Sequence, residues 1–565
     1  MYIFKITESF FKEYKITLIV YFIFTLLSFP LESIVIPQIY SSFFEMLNKK
    51  KDINTFIKYF IIILVFLIII NCSITLCEYI ESYLIPEFNE YIINYIFKNL
   101  LLKYENNIKE IELGKIISRL NLIPDTLKEI ISDVCVWIFP RFLTIIIINM
   151  YFFYIDWKFG CLSLFLLFLF IIVCYLKFFY CTKSSHERHI LFEQKNQDTL
   201  DKLSNSYSIY SNGKVYNEIN NYGKTTNYYS NKHKENLKCI NIANIKITII
   251  IILIFISLNS FCTYLFINKN ISFVNLMAIF ITIIYYIPCL YTINETFPNL
   301  IYYIGILLTV DNFIKELYET ELNNKLQKNN TIIKIKKINN GSIIINNLNY
   351  GYEGQPYLFK NFYLTIKNNE KVAFVGKSGN GKSSLIKLIM GYYKIPDNTI
   401  FIGNEDINTF NLNDLRNQIS YVNQNNKLFN LSLLENIQYG NDISREDIIN
   451  ICKKIKVTNI FKNLKDGLDT NVGIEGNNLS GGQKQLVHIL RCIAKKNKIV
   501  ILDEPTSAID KDNKIHIINA IRELSLNSTV ILITHDESLL SCVDRIIILD
   551  SGKIISDTYI CDEEI

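Results

Sequence analysis

Over roughly the first 305 residues, long apolar runs alternate with long polar stretches, and beyond that point the alternation stops. A helix needs roughly 20 apolar residues to cross a bilayer core. Six segments reach that length, near 16–38, 57–80, 134–156, 159–181, 240–267 and 273–302. Prolines and carboxylates interrupt the first and the sixth. Connections after the first, third and fifth segments are short, whereas those after the second and fourth run to about fifty residues and are polar with a helical period. Both long connections and both termini then fall on one side of the membrane. Lys98, Lys103, Lys109, Lys115, Arg119, Lys128, Lys183, Arg188, Lys195 and Lys202 lie on that side, which predicts it to be cytoplasmic or the organelle-matrix equivalent. The run Lys49-Lys50-Lys51 counts against this orientation. Pro30, Glu32 and Pro37 follow the first apolar run, in place of a small-residue cleavage site, so that run is expected to be a retained span.

From residue 343 the period changes. Short β-branched runs alternate with amphipathic stretches, the pattern of an α/β domain. The stretch 318–341 between the two regions is rich in Lys, Asn and Glu and carries no apolar period, so it reads as a linker. The expected division is a six-helix α-helical transmembrane domain over 1–317, the linker over 318–341 and an α/β domain over 342–565.

Composition fits this division. The 565 residues are 50% apolar, and the mean hydropathy of +0.21 is high for a soluble protein of this size. The net charge of +5 is small, with no basic stripe, which argues against a nucleic-acid surface. The 13 cysteines include no Cys-x-x-Cys pair and sit mostly in apolar helices, so they read as small apolar filler and not as metal ligands or disulfides.

The α/β region carries the chemistry. Residues 371–375 read as a buried strand, followed by Gly376-Lys377-Ser378-Gly379-Asn380-Gly381-Lys382-Ser383 and the helical run from Ser384. This is a phosphate-binding loop in its strand–loop–helix setting. The glycines let backbone N–H groups converge on phosphate oxygens, and the helix N-terminus adds partial positive charge. Lys382 is expected on the β- and γ-phosphates and the Ser383 hydroxyl on Mg²⁺. A second hydrophobic strand ends in Asp503-Glu504. Strand ends carry ligands in open parallel sheets. Asp503 suits the Mg²⁺ shell, and Glu504 suits the general base that polarises an attacking water.

Between these anchors, Leu479-Ser480-Gly481-Gly482-Gln483 opens another helix. Here the sequence closely resembles the ATP-binding cassette (ABC) transporter family, whose signature is L-S-G-G-Q. The resemblance implies roles for further residues. Tyr352, 24 residues before Gly376, looks like the aromatic that stacks on adenine, and Ser384 closes the phosphate loop. Gln424 looks like the glutamine that touches Mg²⁺ and water. Asp510, in Ser507-Ala508-Ile509-Asp510, resembles the loop that crosses between paired cassettes, and His535 resembles the histidine at the γ-phosphate. Leu113–Leu120, with Asp125 beyond, resembles a coupling loop of exporters.

The resemblance covers nearly the whole chain and implies a half-size exporter. Such a chain binds ATP and Mg²⁺, sits in the lipid bilayer, and pairs with a second copy or a related half so that Lys382 of one faces Ser480 of the other. Helical segments near 108–125 and 200–217 then pass cassette closure to the spans. Its substrate is a small molecule or conjugate. Within the subfamily, Leu428-Phe429-Asn430, the Lys484-Gln485 pair and the Asn217-Glu218 region are similar to half-transporters of the mitochondrial inner membrane that export glutathione-linked sulfur compounds, for which His186, Arg188 and His189 are candidate contacts. That subgroup usually has Glu where Gln483 stands and Ala where Pro505 stands. Lipid, peptide or drug-like solutes are alternative cargo, and a nucleotide-gated channel or regulator is an alternative role. Glu32, Arg141, Asn294 and Glu295 are candidate cavity residues, since polar groups inside a membrane are costly. Two departures from the family pattern stand out: Asn423 replaces a usual proline, and Ile474 replaces a usual acid.

Overall fold

A computed structural model describes residues 2–48, 53–105, 113–330, 336–352, 354–424, 427–462, 464–506 and 511–560. The chain divides into two compact units, one over Met1–Lys103 and Lys109–Lys325 and the other over Tyr104–Ile108 and Leu326–Ile565.

The first unit is all helical. An amphipathic helix α1 (Ile3–Glu13) leads into α2 (Lys15–Pro30) and α3 (Ile36–Asn48), which are joined by a π-helical turn over Leu31–Val35. Next come α4 (Ile53–Glu105) and α5 (Leu113–Ser132), then a second π-helical turn over Asp133–Ile138 that runs into α6 (Phe139–Ile155). The long α7 (Trp157–Ser204), the short α8 (Ser206–Ser211), α9 (Val215–Ile267) and α10 (Phe273–Asn330) complete it. Among the described residues, six helical stretches are long and apolar enough to span a membrane: Lys15–Phe43, Phe56–Glu105, Ile116–Ile155, Trp157–Ser204, Val215–Ile267 and Phe273–Lys325.

The helices outrun the apolar segments. α7 stays helical for more than twenty residues past its apolar part, and α9 begins 25 residues before its own (215 to 240), so the second long polar connection is mostly helix. The stretch read as a linker from residue 318 is helical through Asn330, because Glu316, Glu321 and Lys325 find partners at helical spacing or on α4. Asp156 breaks the chain between α6 and α7 in extended conformation and caps α7 by accepting the Phe159 N–H at 3.0 Å. Ile148, Phe152, Phe159, Ile251, Leu258, Ile283 and Tyr286 are fully buried where α6, α7, α9 and α10 meet.

One sequence reading is corrected here. Cys181 of α7 and Cys239 of α9 are not merely apolar filler: they form a disulfide, their Cα atoms 5.9 Å apart on facing helix sides. The two positions lie 58 residues apart in sequence, and only the packing of α7 on α9 brings them together. The other described cysteines are free. No cluster of potential metal ligands of the His/Cys/Asp/Glu kind occurs among the described residues.

The second unit is α/β. Its four-stranded antiparallel sheet has the order β2-β1-β4-β5, built from β1 (Ile343–Tyr350), β2 (Phe359–Ile366), β4 (Ile400–Ile402) and β5 (Glu405–Asp406). The six-stranded sheet has the order β10-β9-β3-β8-β7-β6, from β3 (Lys371–Val375), β6 (Ile419–Val422), β7 (Ile499–Asp503), β8 (Thr529–Ile533), β9 (Arg545–Asp550) and β10 (Lys553–Tyr559). All neighbouring strands of that sheet run parallel except β9 and β10. Its central strands are apolar between their end residues because both faces are covered. Phe374, Ile501 and Ile531 point to one face with Leu385 and Leu388 of α11 (Lys382–Ile389). Ala373, Leu502 and Leu532 point to the other, against Leu486 and Leu490 of α16 (Gly481–Lys495) and Ile517 and Ile521 of α17 (Lys511–Ser525). The period of two along each strand thus divides the core into two layers. Between β5 and α16 lie α12 (Leu412–Asn417), α13 (Leu433–Gln438), α14 (Arg445–Lys454) and α15 (Thr458–Lys462), and α18 (Glu537–Leu540) follows β8.

Candidate nucleotide site

The site gathers at the carboxyl ends of β3, β7 and β8, where an open parallel sheet offers a crevice. The loop after β3 needs glycine twice. Gly376 has φ +148°, and a Cβ there would meet the Leu549 carbonyl oxygen at 2.2 Å. Gly381 opens α11 at φ +96°, with a Cβ 3.0 Å from the Phe359 ring. Asn380 ties the loop down: its side-chain amide donates to the Leu549 carbonyl and the Asp550 carboxylate, both at 3.0 Å. Gly379 is positive in φ and open, and Ser378 lies in the turn.

Lys382 is buried and curls back to donate to the carbonyls of Gly376 and Lys377, the latter at 2.9 Å. Burial pulls its pKa down, while the Glu504 and Asp503 charges push it up. Next to it, the Ser383 hydroxyl donates to Asp503 at 3.2 Å. Burial raises the Asp503 carboxyl, and the Ser383 bond only partly offsets this. An ammonium and a carboxylate held out of water at one sheet edge suit a charged guest that brings both signs. The Ser383 hydroxyl, the Asp503 carboxylate and the Gln424 amide carbonyl are oxygen donors of the kind Mg²⁺ takes, so the residues fit that ion.

Glu504 follows β7 with φ +48°, a left-handed conformation rare for a glutamate, held by its own N–H on the Ile533 carbonyl at 2.9 Å. Its carboxylate accepts from the Gln424 side-chain amide at 2.6 Å and lies 3.9 Å from His535 Nε2. An open cleft of about 510 Å³ lies here, lined by Glu504, Thr506, Lys514, Thr534, His535 and Asp536. Asp536 was missed by the sequence reading, although it follows His535 directly. Burial would raise its carboxyl, but bonds from Lys514, Ser538 and Thr506 outweigh that and hold it at about 2. Asn423, the departure from proline, restrains the turn by another route. Its side-chain oxygen accepts the Gln424 N–H at 2.8 Å and the Tyr421 O–H at 3.3 Å.

Tyr352 lies at the other end of the phosphate loop. Its hydroxyl meets Ser384 Oγ at 2.8 Å, and its ring packs edge-on against Tyr350 and Tyr393. Tyr393 could not be placed from sequence, since 41 residues separate it from Tyr352. The structure thus brings together Lys382, Ser383, Asp503, Glu504, Gln424 and His535, with Tyr352 and Ser384 alongside. It does not bring the signature loop to them. Ser480 and Gln483 form a capping box on α16, each side chain bonded to the other's backbone N–H, and Gly481 and Gly482 are the first residues of that helix. Ile474 is exposed, and neighbouring Glu475 pairs with Lys427 at 2.6 Å. Asp510, with residues 507–509, lies outside the described residues, as do Lys49–Lys51 and residues 108–112 of the coupling segment.

A bundle of six apolar helices fused to a phosphate-loop α/β domain defines a membrane-embedded nucleotide-binding protein. Residues 359–507 match the ABC transporter family, and residues 18–287 match the ABC transporter transmembrane region. The chain therefore belongs to the ABC transporter family, with membrane region and ATP-binding cassette in one polypeptide. It is 39% identical over 217 residues to an ATP-dependent lipid A-core flippase of Acinetobacter baylyi, a match covering 38% of each chain. With the multidrug resistance-like ATP-binding protein MdlB of Buchnera aphidicola it shares 27% identity over 544 residues, covering 94% of this chain and 90% of that one. A solved bacterial Atm1-family ABC exporter with ATP bound has the same fold, with a TM-score of 0.81, 19% identity, and coverage of 97% and 95%.

Proposed function

We propose that the chain is an ATP-driven exporter that works as a pair, two copies or one copy with a related half. One observation carries this reading: Lys382, Ser383, Asp503, Gln424, Glu504 and His535 converge at one sheet edge, while the bonds of Ser480 stay within its own helix. Half of a site is built in each cassette, and a facing cassette supplies the other half.

In this mechanism the backbone of Gly376–Gly381 and the ammonium of Lys382 hold the phosphates. Mg²⁺, held by Ser383, Asp503 and Gln424, would supply charge neutralisation at the phosphate oxygens. Glu504 accepts a proton from the attacking water, and His535 and Gln424 orient that water and its base. Tyr352 offers its ring to the base, and Asp510 is assigned to the contact between cassettes. ATP drives closure through its higher affinity for the paired state.

The lysines and arginines near residues 98–128 and 183–202 support a cassette on the cytoplasmic or organelle-matrix side. A mitochondrial-type inner membrane and a glutathione-linked sulfur cargo remain part of this proposal, beside lipid, peptide or drug-like solutes. A purely regulatory or channel role would not need the base, and Glu504 and His535 are both present and within 3.9 Å of each other. The test is ATP turnover of the full chain in proteoliposomes against a panel of solutes that includes glutathione conjugates. At least one transported solute should stimulate turnover. ATP-gated ion conductance without solute-stimulated turnover would contradict export.

A further inference from the structure

One π-helical turn of the membrane unit borders a cavity, and a second lies just before the helix that gives the cavity its arginine. Leu31–Val35 interrupts the first span, and Asp133–Ile138 immediately precedes α6 in the third. Such turns add one residue to the helix, free a carbonyl from the ladder and recur at functional sites. Here the Val136 carbonyl accepts from the Arg141 guanidinium at 2.6 Å. Arg141 is further held over the rings of Phe29 at 4.8 Å and Trp137 at 5.0 Å.

The cavity, about 180 Å³, is lined by Phe29, Glu32, Ser33, Arg141, Tyr285 and Cys289, among others. It therefore contains one carboxylate and one guanidinium inside the membrane-spanning bundle. The two do not form an ion pair, and Glu32 makes no hydrogen bond among the described residues. Ser33 is 3% exposed, and its hydroxyl has no hydrogen-bond partner among the described residues. The Arg141 guanidinium is met by the Val136 carbonyl and two rings and lies in the field of Glu32, but a carboxylate without a hydrogen bond and an orphaned hydroxyl at this depth are expensive and call for a guest.

We propose that this cavity receives a zwitterionic head of the transported solute, with an anionic oxygen on Arg141, an ammonium on Glu32 and a hydrogen bond from or to Ser33. The inference rests on the export reading and deepens it by naming a substrate class. A ligand of one charge would engage only one of the two side chains. A zwitterion satisfies both while adding no net charge to the membrane interior. The volume holds about six waters at ~30 Å³ each, the scale of an amino-acid or aminophosphate head and not of a whole amphiphile. The shared chemistry is an ammonium beside an anionic oxygen, found on an amino-acid-type solute and on an aminophospholipid headgroup.

The chain holds a built-in reporter. It has two tryptophans, and Trp157→Phe leaves Trp137, beside Arg141, as the sole fluorophore. The full chain in nanodiscs is titrated with 2-aminooctanoate, octylamine, octanoate and dihexanoyl phosphatidylethanolamine. A zwitterion should bind about tenfold or more tighter than either singly charged probe, as expected for one extra charge-assisted hydrogen bond. Whichever of the two zwitterions binds tighter assigns the source. Glu32→Gln should abolish the advantage over octanoate, and Arg141→Gln the advantage over octylamine. Because Arg141 also braces the Val136 carbonyl, its variant can fail to assemble. Glu32→Gln removes no bond within the protein and decides the question alone. Equal binding of all probes, or unchanged discrimination in Glu32→Gln, overturns the inference. ATP turnover in the same discs tests the export reading separately: intact turnover with an indiscriminate cavity sinks only the cavity assignment.

Discussion

Glu504→Gln should retain ATP and lose turnover by about 10²–10⁴-fold, the range supplied by a positioned general base. The substitution is nearly isosteric. The new amide oxygen can still accept the Gln424 bond, which is 2.6 Å in the native chain. The left-handed backbone at this position is held by the Glu504 N–H on Ile533, which the change does not touch. Lys382, which holds the phosphates in the proposed mechanism, and Ser383, assigned to Mg²⁺, belong to a different loop. Filter binding of labelled nucleotide and steady-state phosphate release, measured on one preparation, check the two halves of the claim. Turnover near the native rate would remove Glu504 from the role of base.

The second large effect is expected at a residue that touches none of the others. Ser480→Arg should silence turnover while each chain still binds ATP, because in the proposed pairing the bulky cation would stand where a facing cassette's nucleotide docks. Its own hydroxyl only caps α16, together with Gln483. Loss of that cap by Ser480→Ala should lower cassette stability by about 1 kcal/mol. The contrast between the two variants separates a capping role from a role across an interface. Matching activities in Ser480→Arg and Ser480→Ala would leave only the cap.

Much of this was legible in the sequence because periodicity and local motifs are local. The apolar runs marked the six spans, and the strand before Gly376 and the helix after it are β3 and α11. The pair Asp503-Glu504 stands at and just beyond the end of β7. What escaped was long-range or sub-periodic. Hydropathy cannot mark where a helix leaves the membrane and continues, so α10 runs through Asn330 across a stretch that reads as polar linker. The Cys181–Cys239 bond depends on which faces of α7 and α9 meet, which no spacing encodes. The added residue of the π turn at Leu31–Val35 shifts a helix face without altering its hydropathy, so the cavity at Glu32 and Arg141 was readable only as two costly polar positions. Asn423 reads from sequence as a departure from the family's usual proline. Its side-chain oxygen restores by hydrogen bonding the restraint that a ring would impose.

In the proposed mechanism turnover depends on nucleotide lying between two chains. The most direct measurement compares ATP turnover per chain in nanodiscs sized to hold one chain with turnover in discs holding two, with nucleotide occupancy recorded in both. One-chain discs should bind ATP and hydrolyse it at close to background, and two-chain discs should turn over. Equal turnover per chain in the two preparations would contradict the shared site.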